Sequence, residues 1–414
     1  MSRHYKPYAF YSSPSNFDAE VQKELHFPNP VNIFDSTIRK LMLTPGVRMT
    51  LADIDRISRL SAEIGLTSTV LNLHWWGSAA PEPHSLAVFG ALHRTEETDL
   101  TISSDVFNGE YWQEGAAQLA DLAPRSVAID LPIPDFEGHN GLDLSAQLHK
   151  LERACENLRG LGIEPTLGVL DVGRAHPEAV RAYVETGIEA GCTRMLVHDS
   201  ASSLSPEAMK LIMRRLRGMV GEMPTIIHAH NDCGLADAVC LAAVTAGAHP
   251  DVSIGGVSYR GGFAKLEVIA AALATLYGVD LQLDWDKIQE LSRYVDRLVP
   301  ASGFRGVTGE RAFLKEATAA FQKSKTVDGR AISSSDSLLS AEAFGAKTTF
   351  VWGANLIANT PALTAKLGLL DLDVSEEGVS AARRVLTEAL AEKELYPYWI
   401  TDEEATEVLV HHLR

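Results

Sequence analysis

Residues 193–230 read TRMLVHDSASSLSPEAMKLIMRRLRGMVGEMPTIIHAH, an apolar run, an amphipathic segment and a second apolar run. The first and last pieces predict strands and the middle a helix, which makes the span a strand–helix–strand unit of the kind that pairs its strands in parallel. The same alternation extends on both sides. Strands are expected at VNIFD (31–35), TSTVLNL (67–73), LTISS (100–104), SVAIDL (126–131), PTLGVL (165–170), TRMLVH (193–198), TIIHAH (225–230) and DVSIG (251–255). These eight runs recur about every 31 residues, the length of one βαβ repeat. A (β/α)8 barrel over residues 31–279 is therefore expected, preceded by an extension, 1–30. An open doubly wound sheet is the competitor, but it usually carries a Gly-rich dinucleotide turn after an early strand, and none is visible. Polar residues gather where strands end: Asp35, Asn72, His74, Ser103, Asp130, Asp171, His198, Asp199, His228 and His230. A barrel enzyme keeps its active face there.

Past the barrel the texture changes. LDWDKIQELSRYVDRLV and residues 375–413 read as helices around a Gly/Ser-rich stretch, 323–340. Residues 280–414 are expected to form a smaller, mainly helical unit that packs on the barrel or on a second subunit.

The chain has 414 residues, 46% of them hydrophobic and 22% charged, as in a globular protein. No apolar run reaches the roughly 18 residues of a membrane helix. Its net charge of −17 repels phosphate backbones and argues against nucleic acid as a partner. Met1 to Asn16 lacks the apolar core of a secretory signal, so the expected address is the cytoplasm. Four cysteines, Cys155, Cys192, Cys233 and Cys240, form no CxxC pair and are expected to be reduced and mostly packed.

His228 and His230 are two residues apart in a strand, so both imidazoles point to one side, the barrel mouth. They are either half of a divalent-metal site, which also needs a carboxylate, or polar lining of a pocket. Asn231 and Asp232 can cap the next helix while Gly234 permits the turn.

HAHNDCGLA (228–236), DSTIRKLMLTPGV (35–47), DVSIGGVSYRGGFAKLE (251–267) and GERAFLKE (309–316) together resemble the DRE-TIM metallolyase superfamily. That family includes isopropylmalate and homocitrate synthases, hydroxymethylglutaryl-CoA lyase and 4-hydroxy-2-oxovalerate aldolase. The resemblance implies carbon–carbon bond chemistry beside a carbonyl, with a divalent metal and, in the synthases, an acyl-CoA. The part after the barrel looks like the synthase subdomains and ends before the leucine-binding regulatory domain of isopropylmalate synthases.

The departures are specific. The family's first strand ends in an Asp-Thr-Thr-Leu-Arg-Asp-Gly-Glu-Gln type motif, whose Arg polarises a carbonyl and whose following acid binds metal. This chain keeps Asp35, Thr37 and Arg39 but places Lys40 at the ligand position. The family's Gly-Asn-Ala, whose Asn approaches the metal, reads Gly262-Phe263-Ala264. An ammonium beside two imidazoles repels a divalent cation by several kcal/mol at roughly 4 Å if the effective dielectric is near 20. The expected site is thus degenerate for zinc, manganese or magnesium unless Asp199 or Asp232 supplies the missing donor. The synthases' His-Glu-Ser-Gly-Ile-His segment, which helps deprotonate acyl-CoA, reads Lys315-Glu316-Ala317-Thr318-Ala319-Ala320.

Arg39, Lys40 and Asp199 are the catalytic candidates. Arg39 suits a carboxylate or enolate oxygen. Lys40 reads as a fixed charge in the metal's place, as a Schiff-base amine, or as a space filler held by acids. Asp199 has a competing structural role in its loop. Substrate contacts are expected from His74, Ser258 and Arg260, the last two in GGVSYRGG (255–262), which is either an anion site or a plain turn. HWWG (74–77) reads as a pocket wall or as packing. The functional expectation is a Claisen- or aldol-type acyltransferase on a small 2-oxo acid, working as a homodimer. The alternatives are a lyase or aldolase of the same family, or a silent relative that binds a metabolite or partner.

Overall fold

A computed structural model describes residues 4–6, 9–47, 49–72, 99–104, 124–136, 138, 141–299, 304–309, 311–316, 326–327, 330–331, 338–339, 341–353, 356–357, 360–393 and 399–414. Eight parallel strands close on themselves: β1 (Phe34–Asp35), β2 (Ser68–Asn72), β3 (Asp99–Ser104), β4 (Ser126–Leu131), β5 (Glu164–Val169), β6 (Arg194–Asp199), β7 (Thr225–Ala229) and β8 (His249–Val252). β8 returns to β1 through the Asp251–Phe34 and Val252–Asp35 register, so the sheet has no edge. Each of the eight expected runs contains strand residues; β1 is confined to the last two residues of its run, just before α1 (Thr37–Leu43), and β8 begins two residues ahead of its run and ends at Val252, before a 3-10 turn at Ile254–Gly256.

The crossover helices form for local reasons. Asp53 and Thr50 make a reciprocal capping box at the start of α2 (Leu51–Ile64), which Gly65 ends at φ 96°. Side-chain caps from Asp143, His176 and Ser205 open α3 (Leu144–Gly160), α4 (Pro177–Glu189) and α5 (Pro206–Val220). α6 (Ala236–Val244) and α7 (Leu266–Ala272) follow β7 and β8.

The strands' two-residue period sorts their side chains into two layers. Leu71, Val127, Ile129, Met195, Val197, Ile227 and Ala229 face the helices in the main core. Phe34, Val70, Ala128, Leu196 and Ile226 form a second cluster inside the barrel. Continuing along the interior column puts Asp130 after Ala128, His198 after Leu196, and His228 after Ile226. Hydrophobic filling below and polar groups above are thus consequences of one pleat.

α8 (Trp285–Leu298) adds Ile288, Leu291 and Val295 to the main core and lies along α2, with Tyr294 Oη donating to Asp53 at 2.7 Å. Later, α9 (Thr360–Leu369), α10 (Glu376–Ala391) and α11 (Asp402–Leu413) enclose a separate core around Trp352, Leu363, Leu386 and Leu409. A three-stranded sheet of Leu314–Glu316, Thr349–Trp352 and Ile400–Thr401 joins them. Residues 304–309 and Arg311 reach the barrel mouth: Arg311 donates to Pro45 O at 3.0 Å, and Val307 N to Asp232 O at 3.0 Å. Gly306 passes so close that a Cβ there would stand 2.4 Å from Asp232 O, which is why glycine is required.

Candidate active site at the barrel mouth

β1 hands the chain to α1 through Asp35, whose carboxylate accepts from Thr37 N at 2.9 Å and from Ser61 Oγ at 2.7 Å. This clamp aims the first turn of α1 inward, and Arg39 and Lys40 are both buried at the mouth. Lys40 Nζ stands 2.9 Å from His228 Nε2 and 3.4 Å from His230 Nε2. It also lies 4.2 Å over the Phe263 ring. The two imidazoles therefore share one side of the strand, as their spacing predicts, and converge on one nitrogen.

Asp251, which the sequence reading placed only within a strand, anchors this group. Its Oδ2 is 2.6 Å from His228 Nδ1, and its Oδ1 accepts from Ser36 Oγ at 2.5 Å. A carboxylate accepts only, so Nδ1 carries the proton and Nε2 is left to accept from Lys40. Arg39 Nη1 completes the cluster, 4.0 Å from Asp251 Oδ2. An aspartate inside a β-branched run, in register with His228 on the adjacent strand, was the signal available.

Burial sets the proton affinities. His228 and His230 are held well below the usual histidine range by desolvation, then by Lys40, so both are neutral at pH 7. Desolvation, then the Arg39 guanidinium, pull Lys40 well below its ordinary value, while Asp251 and Asp130 push back. Desolvation also raises Asp251 to about 6.

Asp199 ends β6. Its Oδ1 accepts from Ser203 N at 2.8 Å, its Oδ2 is buried with no hydrogen-bond partner among the described residues, and burial lifts it to about 6. His198 Nε2 lies 3.4 Å from Asp130 Oδ1, with its ring 4.5 Å from that of His228. Arg260 is held by protein partners, its Nε 3.2 Å from Asp232 Oδ1 and its Nη2 donating to Ser200 O at 2.6 Å. Ser258, in the same loop, is fully buried with its Oγ unbonded among the described residues. Between them Tyr259 brings its hydroxyl to 3.4 Å from His230 Nε2. Asn231 Oδ1 accepts from Ala236 N at 3.0 Å and so caps α6, over the turn that Gly234 allows at φ 77°. His74 and the whole HWWG run lie outside the described residues, as do Ala317 to Ala320.

An HMGL-like family model matches residues 126–295. A putative (R)-citramalate synthase of Methanopyrus kandleri is 30% identical over 307 residues, 72% of this chain and 58% of the relative. A homocitrate synthase of the same organism is 28% identical over 73% of this chain and 75% of its own length. Of the solved structures, an HMG-CoA lyase from Brucella melitensis superposes with a TM-score of 0.56 at 14% identity, covering 65% of this chain and 98% of that one.

The chain belongs to the DRE-TIM superfamily.

It spans 58% of the length of the citramalate synthase it matches, so what transfers from the relatives is the family and the fold. The superfamily's divalent ion does not fit the residues present. An ion held by both Nε2 atoms would sit about 2.0–2.1 Å from each, in the space that Lys40 Nζ fills. Two of the nearby carboxylates are committed: both oxygens of Asp35 and of Asp251 accept hydrogen bonds. Phe263 packs on the two imidazoles, with ring centroids 4.4 and 5.4 Å away, where a further donor would approach. Among the described residues no three His, Cys, Asp or Glu side chains gather to hold an ion, and no helix is long and apolar enough to cross a membrane. All four cysteines are free, with Cys155, Cys192 and Cys240 buried.

Proposed function

We propose that this DRE-TIM chain is a carbon–carbon bond-forming acyltransferase that joins an acetyl-type thioester to a small 2-oxo acid. The observation that carries the reading is the buried pair Arg39 and Lys40, set side by side at the C-terminal mouth of the barrel and backed by His228 and Asp251. Relatives named citramalate, isopropylmalate and homocitrate synthases support it, because each name describes a 2-hydroxy acid that an acetyl unit and a 2-oxo acid can form.

The demand of that reaction is stabilisation of negative charge on the keto oxygen as the new bond forms. A permanently charged guanidinium aimed at that oxygen supplies it, and is worth most in a water-poor site. Lys40 offers three N–H donors, two of which point to imidazoles. The third is left for the substrate oxygen, and a lysine of lowered proton affinity suits donation to the forming alkoxide. His228, proton-locked by Asp251, keeps Lys40 in place. In this reading Ser258 and Arg260 are the candidate contacts of the substrate carboxylate, with His74, outside the described residues, as a third, and Asp199 takes the proton lost from the thioester α-carbon as the carbon–carbon bond forms. Water then cleaves the thioester and releases CoA thiol.

The test is CoA-thiol release from acetyl-CoA with pyruvate, 2-oxoisovalerate and 2-oxoglutarate in turn, with the product identified by mass spectrometry. Release that requires one 2-oxo acid and disappears in Arg39→Ala supports the assignment. No release with any pair, or full release in Arg39→Ala, sinks it.

A further inference from the structure

We infer that a tethered nitrogen has taken an ion's position in this chain, and that Lys40, by filling that position and withholding an anionic ligand from it, closes the two-histidine centre to divalent metals. The geometry of this centre is independent of whether the chain turns over substrate. Two imidazole Nε2 atoms aim at one point, and a third nitrogen, Lys40 Nζ, occupies it at 2.9 and 3.4 Å. Their orientation is built rather than incidental: the Nδ1 proton of His228 is fixed by Asp251, itself held by Ser36, and orienting a ring through its far nitrogen is how metal-binding histidines are held. His230 is set by the pairing of its backbone with Phe263. The site therefore retains two ordered nitrogen donors and lacks only space and an anionic ligand.

The geometry also says which replacement restores binding. A glutamate carboxylate ends one atom earlier along its side chain than a lysine nitrogen. From position 40 of α1 it would stop short of the present Nζ position by about one bond, leaving room for an ion at the 2.0–2.2 Å typical of a zinc–oxygen contact. Lys40→Glu thus exchanges the occupant for a ligand and supplies the missing negative charge. Lys40→Met removes the charge and the terminal nitrogen and offers only a neutral thioether, so it supplies no anionic ligand.

The experiment titrates Zn²⁺, and separately Co²⁺ followed by its visible absorption, into the full chain as wild type, Lys40→Glu and Lys40→Met, each checked for fold by circular dichroism. The expected result is one equivalent bound by Lys40→Glu about 100-fold or more tighter than by the other two, with loss of that gain in Lys40→Glu/His228→Gln. A wild-type protein that binds one equivalent as tightly as Lys40→Glu overturns the inference. So does a folded Lys40→Glu that binds no tighter than Lys40→Met. Should Lys40→Glu not fold, the wild type decides: a melting temperature unmoved by millimolar Zn²⁺ and by chelator upholds the inference, and a rise with Zn²⁺ overturns it.

Discussion

Replacing Asp199 by asparagine should make the protein relatively more stable as the pH rises. Asp199 is 1% exposed, and burial raises its carboxyl from the ordinary 3.8 to about 6 against the pull of the Ser203 hydrogen bonds. A raised acid holds its proton in the folded chain and releases it in the unfolded one, so stability falls as pH climbs from about 4 to about 6. Above pH 7 the full cost is about 3 kcal/mol, and about half of it is already present at pH 5. Asparagine keeps an oxygen to accept from Ser203 N but places an amide where Oδ2 has no partner, a pH-independent cost of about 1–3 kcal/mol. That second quantity cancels when one pH is compared with another. Urea denaturation of both proteins at pH 5 and pH 8 should therefore show the difference moving in the mutant's favour by about 1.5 kcal/mol. A difference that is the same at both pH values, or that moves towards the wild type, refutes the burial argument. If the carboxyl also serves catalysis, the stabilised mutant will be the slower enzyme, because a costly buried acid persists where function uses it.

Arg39→Ala should lower turnover by about 100- to 1000-fold with little change in melting temperature, and Arg39→Lys should not restore it, since an ammonium lacks the planar fork; steady-state kinetics with the active 2-oxo acid checks both. Leu196→Ala, which hollows the barrel interior where Leu196 is fully buried, should cost about 2–5 kcal/mol in urea unfolding. Native alkylation with iodoacetamide should label Cys233 first, because the other three thiols are buried; peptide mass mapping that finds Cys240 modified as fast contradicts the packing described here.

The barrel was legible because eight apolar runs recur at a steady interval and each is marked by β-branched residues between turn signals. The pleat also made His228 and His230 readable as a pair, and Arg39 with Lys40 readable from their motif. Asp251 was not legible: its role comes from the register between two strands far apart in the chain, which no local pattern encodes. The same holds for Ser36, and for Arg311, whose contact with Pro45 joins segments that periodicity treats separately. Arg260 was read as a candidate anion contact from its loop, and its guanidinium also meets Asp232 and Ser200 O. Charge at a loop position is visible in sequence, but its partners are not.

A side-chain nitrogen, Lys40 Nζ, stands at the polar centre of this mouth, and turnover after exhaustive chelation asks whether it serves there without an ion. Wild-type CoA release should be the same in excess chelator as with added zinc, manganese or magnesium, and should collapse in Lys40→Met under every condition. Activity that vanishes on chelation and returns with a divalent ion would contradict the account.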